Sequence, residues 1–186
     1  MFDVDAFVVD LIGCLDDPEP RRAAKAVMDE VMATPDAVAD ALAPTVGGLQ
    51  LLHHTPELTV INIVWPPHMR LMPHDHRMWA LIGIYAGIED NQFYRRDAAD
   101  GLDERTQRRL EVGDVTLLGS ETIHAVTNPV NRLTGGLHVY GGDFVNHPRS
   151  QWGPGDTIER PYDMADVNRQ FREANVAAGL AAGGPS

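Results

Sequence analysis

The sequence has a single cysteine and few aromatic residues (6%), and its 15 Lys and Arg are outnumbered by 27 Asp and Glu. One cysteine excludes an internal disulfide and a cysteine-rich zinc site, and the apolar neighbours of Cys14 predict a buried packing residue. The net charge of −12 repels phosphate backbones and anionic membranes on average, although a local basic patch would survive it. We therefore expect small-molecule partners rather than nucleic acid.

Signals for secretion and membrane insertion are also missing. The first residues carry no basic cluster, and no apolar run approaches the roughly 20 residues that span a bilayer. A length of 186 residues suits one domain. We therefore expect a cytoplasmic, single-domain protein without membrane contact, and the sequence leaves open whether it is a monomer or a homo-oligomer.

Apolar residues recur at helical spacing in three early segments and one late segment. The predicted helices are Val4–Leu15, Arg21–Met32, Pro35–Leu42 and Met164–Leu180. After Gly47-Gly48 the pattern changes to short runs with a period of two. The predicted strands are Leu49–His53, Leu58–Trp65, Trp79–Tyr85, Asn91–Arg95, Leu110–Val112, Val115–Leu118, Ile123–Thr127 and Gly136–Tyr140.

About eight strands separated by turns predict an all-β core, a double-stranded β-helix. The acidic stretch 97–104 is interpreted as a hairpin loop. We predict a helical lead-in packed on the barrel at residues 1–45, the barrel with its site at 46–152, and a C-terminal extension at 153–186.

Two histidines one residue apart, His74 and His76, carry the strongest chemical signal. Side chains at i and i+2 of a strand point to the same face, so both imidazoles can approach one interior point. A turn and a new strand then present His124, which a closed barrel brings alongside the pair. Among eight histidines a lone pair of this kind arises easily by chance, but the combination predicts a metal site on His74, His76 and His124.

The chain around these histidines resembles the three-histidine thiol dioxygenases of the cupin superfamily, the family of cysteine dioxygenase and 3-mercaptopropionate dioxygenase. The resemblance runs from about Leu49 to Trp152, and within the family the sequence resembles the bacterial mercaptopropionate branch most. Its densest segments are Ile63-Val64-Trp65, His74-Asp75-His76 and Trp79-Ala80-Leu81-Ile82-Gly83. The resemblance implies a cupin jelly-roll barrel that holds Fe(2+) on the three histidines.

Most cupins add a carboxylate ligand shortly after the histidine pair, whereas residues 77–83 contain no acid. Three neutral imidazoles leave both charges of a divalent ion uncompensated. Such a site suits an anionic thiolate and still leaves room for O2.

The segment Gly136-Leu137-His138-Val139-Tyr140 resembles the Ser-x-His-x-Tyr relay of the same family, with Gly136 in place of the serine. In the family the relay forms hydrogen bonds near the iron-bound substrate and oxygen. The resemblance therefore implies a catalytic role for Tyr140, with His138 orienting it.

The arginine with which cysteine dioxygenases hold their substrate's carboxylate has no counterpart in residues 49–54, which disfavours cysteine as the substrate. The mercaptopropionate branch is similar to this chain in having a glutamine in that strand, here Gln50. It also has an arginine nine residues after the relay tyrosine, here Arg149. The resemblance implies that Gln50 and Arg149 bind the substrate.

These features favour a non-haem Fe(II) thiol dioxygenase that converts a small carboxylated thiol to its sulfinate with O2. Two alternatives remain. One is a three-histidine oxygenase that acts on another chelating substrate, an option that Gly136 leaves open. The other is a non-catalytic cupin that binds a metal or a small ligand. Residues 140–152 also resemble a less characterised group of predicted metal-dependent cupins, so the identity of the thiol stays open.

Overall fold

The computed structural model describes residues 1–97, 101–153 and 158–180. Its helices are α1 (Val4–Gly13), α2 (Pro20–Met32), α3 (Pro35–Leu42) and α4 (Met164–Ala177). Its strands are β1 (Gly48–His54), β2 (Thr59–Trp65), β3 (Arg70–Asp75), β4 (Ala80–Ala86), β5 (Ile88–Asp97), β6 (Gly101–Glu111), β7 (Val115–Leu118), β8 (Ile123–Thr127), β9 (Thr134–Tyr140), β10 (Ser150–Trp152) and β11 (Glu159–Pro161).

The strands form two antiparallel sheets. One has the order β1-β2-β9-β4-β7 and the other the order β11-β10-β3-β8-β5-β6. A single interior core joins them, because Ile63 and Ile82 of the first sheet pack in one cluster with Leu71 and Val126 of the second. This is the predicted fold class, an all-β cupin double-stranded β-helix with N-terminal helices and a C-terminal helix.

The five-stranded sheet has a second apolar face outside the barrel. Because side chains alternate along a strand, Val60, Leu81 and Val139 point away from the interior that their neighbours fill. Helices α1 to α3 cover this outer face with residues such as Phe7 and Met28. The N-terminal helices therefore complete a second core rather than the barrel interior.

Helix α4 instead closes the barrel. It begins at a capping residue, Asp163, whose side chain accepts hydrogen bonds from the backbone amides of Ala165 and Asp166. Val167 and Phe171 belong to the interior core, and the Phe171 ring stacks on Trp65 with 5.3 Å between ring centroids. The C-terminal helix thus forms part of the wall around the barrel interior.

Four strands differ from the sequence prediction, since β3, β10 and β11 lie where no strand was predicted and β6 is longer than predicted. The HxH segment lies at the end of a defined strand, β3, and β6 runs through most of the stretch interpreted as a loop and a short strand. Strand β6 pairs with β5, but its residues 103–109 are exposed and polar, so no hydrophobic alternation reveals it. Residues 98–100, 154–157 and 181–186 lie outside the described residues, and the proposed domain boundaries remain predictions.

Within the described residues, the longest apolar helical stretches fall short of what a membrane span requires.

Candidate metal centre

Two neighbouring strands and the turn after one of them bring the three histidines together. In the antiparallel pair of β3 and β8, His74 lies directly opposite His124. His76 follows β3 and is on the same side as His74, as the spacing of two predicts. All three side chains are buried.

The three imidazoles turn their Nε2 atoms towards one point. His76 Nε2 is 3.2 Å from His74 Nε2 and 3.3 Å from His124 Nε2. One ligand atom from each histidine lies within 4.8 Å of the others. Nitrogen lone pairs that converge this closely repel each other unless a proton or a cation lies between them.

Hydrogen bonds at the opposite ring nitrogens fix two of the tautomers. His74 Nδ1 lies 3.0 Å from the Met72 carbonyl oxygen, and His124 Nδ1 lies 2.6 Å from Asn91 Oδ1. Since both partners accept, each Nδ1 carries the proton and each Nε2 keeps a free lone pair. His76 Nδ1 is buried without a hydrogen-bond partner among the described residues, so no hydrogen bond at this atom fixes the tautomer of His76.

The electrostatics keep the imidazoles neutral, which is the form that binds metals. Burial is the largest cause in all three cases. It lowers the pKa of His74 to about 4 and the pKa values of His76 and His124 well below their usual range. The cluster therefore fits a divalent transition metal, since imidazole is a good ligand for iron, zinc, copper and nickel.

Asp75, the last residue of β3, lies between His74 and His76 in the sequence but points the other way, where it holds this segment in place. Its carboxylate accepts a hydrogen bond of 2.7 Å from the Ser150 amide and pairs with Arg96 at 2.9 Å and Arg77 at 3.3 Å. Arg77 itself has a left-handed backbone, with φ of 56°. These contacts hold the turn that directs His76 into the barrel. They also offset the conformational strain of the left-handed backbone at Arg77.

A narrow cavity lies over the histidines. Its volume is about 20 Å³, which is room for about one water molecule. The walls are mainly apolar and aromatic, and Tyr140, Phe144 and Tyr162 are among the rings that line it. The cavity therefore suits a small ligand.

His138 and Tyr140, the two predicted catalytic residues, both line this cavity. The Tyr140 ring lies 5.1 Å from the His76 ring and is stacked on Phe144 at 3.9 Å between centroids. Burial raises the pKa of Tyr140, so the phenol stays protonated and can donate a hydrogen bond. Burial lowers the pKa of His138 to about 3, and its buried Nε2 has no hydrogen-bond partner among the described residues.

Arg149 lies behind the cavity wall. Its guanidinium is 3.8 Å from the Phe144 ring centre and 4.2 Å from that of Tyr162. The side chain donates to the backbone carbonyls of Phe144 and His147, and only 6% of the residue is exposed. Its Nε has no hydrogen-bond partner, and no carboxylate pairs with it in the described part of the chain. A buried, unpaired guanidinium is an anion-binding group.

The structure does not bring Gln50 to the cavity. Gln50 is exposed, and its Oε1 accepts a hydrogen bond of 3.2 Å from Asn62, whose Oδ1 accepts another from Tyr85 on the outer face. Leu49, one residue earlier, lines the cavity instead. Alternation along β1 therefore turns Gln50 away from the site that the resemblance assigned to it.

Sequence reasoning missed several residues around the centre. Glu89 and Asn91 are buried and linked to His124, and Phe144 and Tyr162 form the cavity wall next to Arg149. An acid and an amide two residues apart in a strand were a usable signal for the first pair, because they share a face. No local pattern marks the second pair.

Fold and site together define the class of this protein: a double-stranded β-helix with a buried three-histidine cluster that could hold a metal ion. No protein-family model matches the chain.

Several solved structures are similar to it. The DMSP lyase DddQ from Ruegeria pomeroyi shares 18% identity at a TM-score of 0.46, over 59% of this chain and 53% of its own. A protein from Bacillus halodurans shares 15% at 0.49, over 65% and 83%. An RmlC-like cupin from Methanocaldococcus jannaschii shares 11% at 0.44, over 54% and 84%. This chain thus spans about half of the lyase, and none of these identities transfers an activity to it.

Proposed function

We propose that this protein is a non-haem Fe(II) thiol dioxygenase that converts a small carboxylated thiol, of the 3-mercaptopropionate type, to its sulfinate. Both atoms of O2 are transferred to sulfur. Sulfur loses four electrons and O2 gains four, so the thiol and O2 are sufficient reactants. The partners are then two small molecules, and neither nucleic acid nor a membrane is needed.

The observation that carries the proposal is a ligand set of three neutral imidazoles with no carboxylate in the cluster. His74, His76 and His124 would hold the iron. Bound Fe(II) supplies a positive charge that lowers the pKa of a thiol, together with the electron-transfer chemistry that ground-state O2 requires. With no anionic ligand among the three histidines, the site favours an anionic substrate.

The residues beside the cluster suit the remaining tasks. Tyr140 keeps its proton and lies against His76, so its hydroxyl can donate a hydrogen bond to the reacting groups. The His138 ring lies 6.3 Å from that of Tyr140 and nearly parallel to it, while Phe144 packs on Tyr140 at 3.9 Å between ring centroids. The apolar walls exclude water, which strengthens these electrostatic interactions.

Arg149 supports the choice of a carboxylated thiol. Its Nε has no hydrogen-bond partner among the described residues, and the adjacent Nη2 lies 3.6 Å from the Met164 sulfur. Together they form an edge that would bind a carboxylate through two hydrogen bonds if the Phe144 and Tyr162 rings, which lie between it and the cavity, move aside. A carboxylate there would also neutralise the buried charge. The small cavity favours a substrate of few atoms.

Oxygen uptake tests the proposal. Protein loaded anaerobically with iron is mixed with 3-mercaptopropionate, cysteine, cysteamine or mercaptosuccinate, and sulfinate is measured by mass spectrometry. We expect uptake with 3-mercaptopropionate at one O2 per sulfinate, and loss of bound iron and of uptake in His124→Ala. Iron-loaded protein that consumes no O2 with any of these thiols would contradict the proposal and favour another chelating substrate or a binding role.

A further inference from the structure

A second buried carboxyl group, Glu89, lies inside the barrel without a cationic partner. The described residues contain two buried acids, Asp75 and Glu89. Asp75 is paired with two arginines, but Glu89, which is 0% exposed, contacts neutral donors. Trp65 Nε1 donates to its Oε2 at 2.8 Å and Asn91 Nδ2 to its Oε1 at 2.9 Å. A buried carboxylate without a counter-ion is costly, so Glu89 must either take up a proton or have a cation near it.

Glu89 is connected to the metal centre through one amide. Its carboxyl group accepts from the NH2 group of Asn91, which turns Asn91 Oδ1 towards His124 Nδ1 at 2.6 Å. That contact places the proton of His124 on Nδ1 and leaves the Nε2 lone pair facing the cavity. An Asn91 amide turned the other way would present a donor to His124 and favour the tautomer that cannot bind a metal.

The charge at the centre also requires an anion. A divalent ion on three neutral imidazoles keeps both of its positive charges, and Arg149 lies close enough to lower the pKa of His74. Of the two adjacent acids, Glu89 is the one buried inside the barrel, because Asp90 pairs with Arg109 on the outside at 2.7 Å.

We propose that Glu89 is the counter-charge and positioning residue of the metal centre, and that Asn91 connects it to His124. The proposal rests on the metal site of the proposed function but not on its reaction. Glu89 does not touch the metal or the substrate. Its negative charge would stabilise the bound cation at a distance, with Asn91 and His124 between them. It would also keep the His124 proton on Nδ1, so that Nε2 can bind the metal.

The protonation of Glu89 gives this role a measurable signature. Burial raises the pKa of Glu89 to about 7 in the metal-free protein. The groups that face it are His138, with Nε2 3.8 Å from Oε2, the phenol of Tyr140 and the neighbouring Asp90. His138 is neutral near pH 7. Below that pH a bound cation must displace the Glu89 proton, so metal affinity rises with pH and levels off above it.

Cobalt binding tests the proposal without any turnover. Affinity for Co²⁺ is measured by competition with a chelator between about pH 6 and pH 8, and the Co²⁺ absorption spectrum reports the ligand set. In Glu89→Gln only one of the two oxygens remains to accept hydrogen bonds, and the negative charge is lost. We expect affinity at the upper pH to fall about 10- to 100-fold and the pH dependence to disappear.

Two further variants separate the parts of the argument. Asp90→Asn removes the same charge from the adjacent residue outside the barrel and should change the affinity less than about twofold. Asn91→Ala keeps the carboxyl group but removes its connection to His124, so the affinity should fall while the pH dependence stays. This second variant also provides the test if Glu89→Gln does not fold.

The outcomes distinguish this proposal from the proposed function. Wild-type affinity and wild-type pH dependence in Glu89→Gln, or unchanged affinity in Asn91→Ala, would overturn the role of Glu89 and leave the metal site standing. Glu89-dependent Co²⁺ binding in a protein that oxidises no thiol would support this role and contradict the dioxygenase. Wild-type protein that binds no Co²⁺ would overturn both.

Discussion

The two faces of the five-stranded sheet are made by the same strands but have opposite character. On the outer face, Leu81 and Val139 pack against α1 to α3 in an apolar core. On the inner face, His138 and Tyr140 of β9 line a cavity beside three neutral histidines. Each strand therefore alternates between residues that stabilise the fold and residues that suit a ligand.

Hydrogen bonding separates the faces further. On the outer face the Tyr85 hydroxyl donates to Asn62 Oδ1 at 2.8 Å, and one buried polar atom of the same sheet, His53 Nε2, has no partner among the described residues. Around the cavity, His76 Nδ1, His138 Nε2 and Arg149 Nε have no partner among the described residues. An unsatisfied buried polar group costs about 1 to 3 kcal/mol. A bound ligand can supply the missing hydrogen bonds of such groups. The comparison therefore predicts that a ligand in the cavity forms hydrogen bonds with polar atoms of the inner face.

The largest effect on stability should come from replacing one buried leucine by alanine on the outer face of the sheet and one in the cavity wall. Leu81→Ala on the outer face and Leu71→Ala in the cavity wall remove equally buried leucines, 0% and 3% exposed. Each should lower the free energy of unfolding of the metal-free protein, measured with urea, by about 2 to 5 kcal/mol. Only Leu71→Ala should also raise the KM for the thiol, by about 10-fold, since it removes an apolar contact with the substrate. An equal rise of KM in Leu81→Ala would show that the two faces are not independent.

A smaller effect in free energy, though not in KM, is expected from Arg149, the cation behind the cavity wall. Arg149→Gln removes the charge and the two-hydrogen-bond edge. It should raise the KM for 3-mercaptopropionate about 10- to 100-fold and leave kcat/KM for cysteamine, which has no carboxylate, within about threefold. Arg149→Lys is the matched control, because it keeps the charge without the fork and should recover only part of the loss. Equal losses with both substrates would assign Arg149 a structural role against Phe144 and Tyr162.

Regular patterns in the sequence predicted those parts of the molecule that depend on local periodicity. The period of two placed His74 and His76 on one face, and the three N-terminal helices follow their apolar spacing to within a few residues. The contacts of Arg149 with Phe144 and Tyr162 depend instead on how the C-terminal segment folds back over the barrel. No local pattern encodes that path. Only the end of β6, in the predicted strand Leu110–Val112, was anticipated, because the polar, exposed residues before it carry no hydrophobic signal.

Gln50 shows where a resemblance and the geometry disagree, and its substitution should have the smallest effect. The resemblance implied a substrate contact, but in β1 the side chain that lines the cavity is Leu49, while Gln50 bonds Asn62 at 3.2 Å on the other face. Gln50→Ala removes one partly buried hydrogen bond, which Asn62 of the Asn62–Tyr85 pair donates to Gln50. It should lower the free energy of unfolding by less than about 1 kcal/mol and leave the KM for 3-mercaptopropionate unchanged, measured by oxygen uptake. A rise of KM comparable to that of Arg149→Gln would mean that β1 presents its other face to the substrate, and the comparison of inner and outer faces would then fail at this strand.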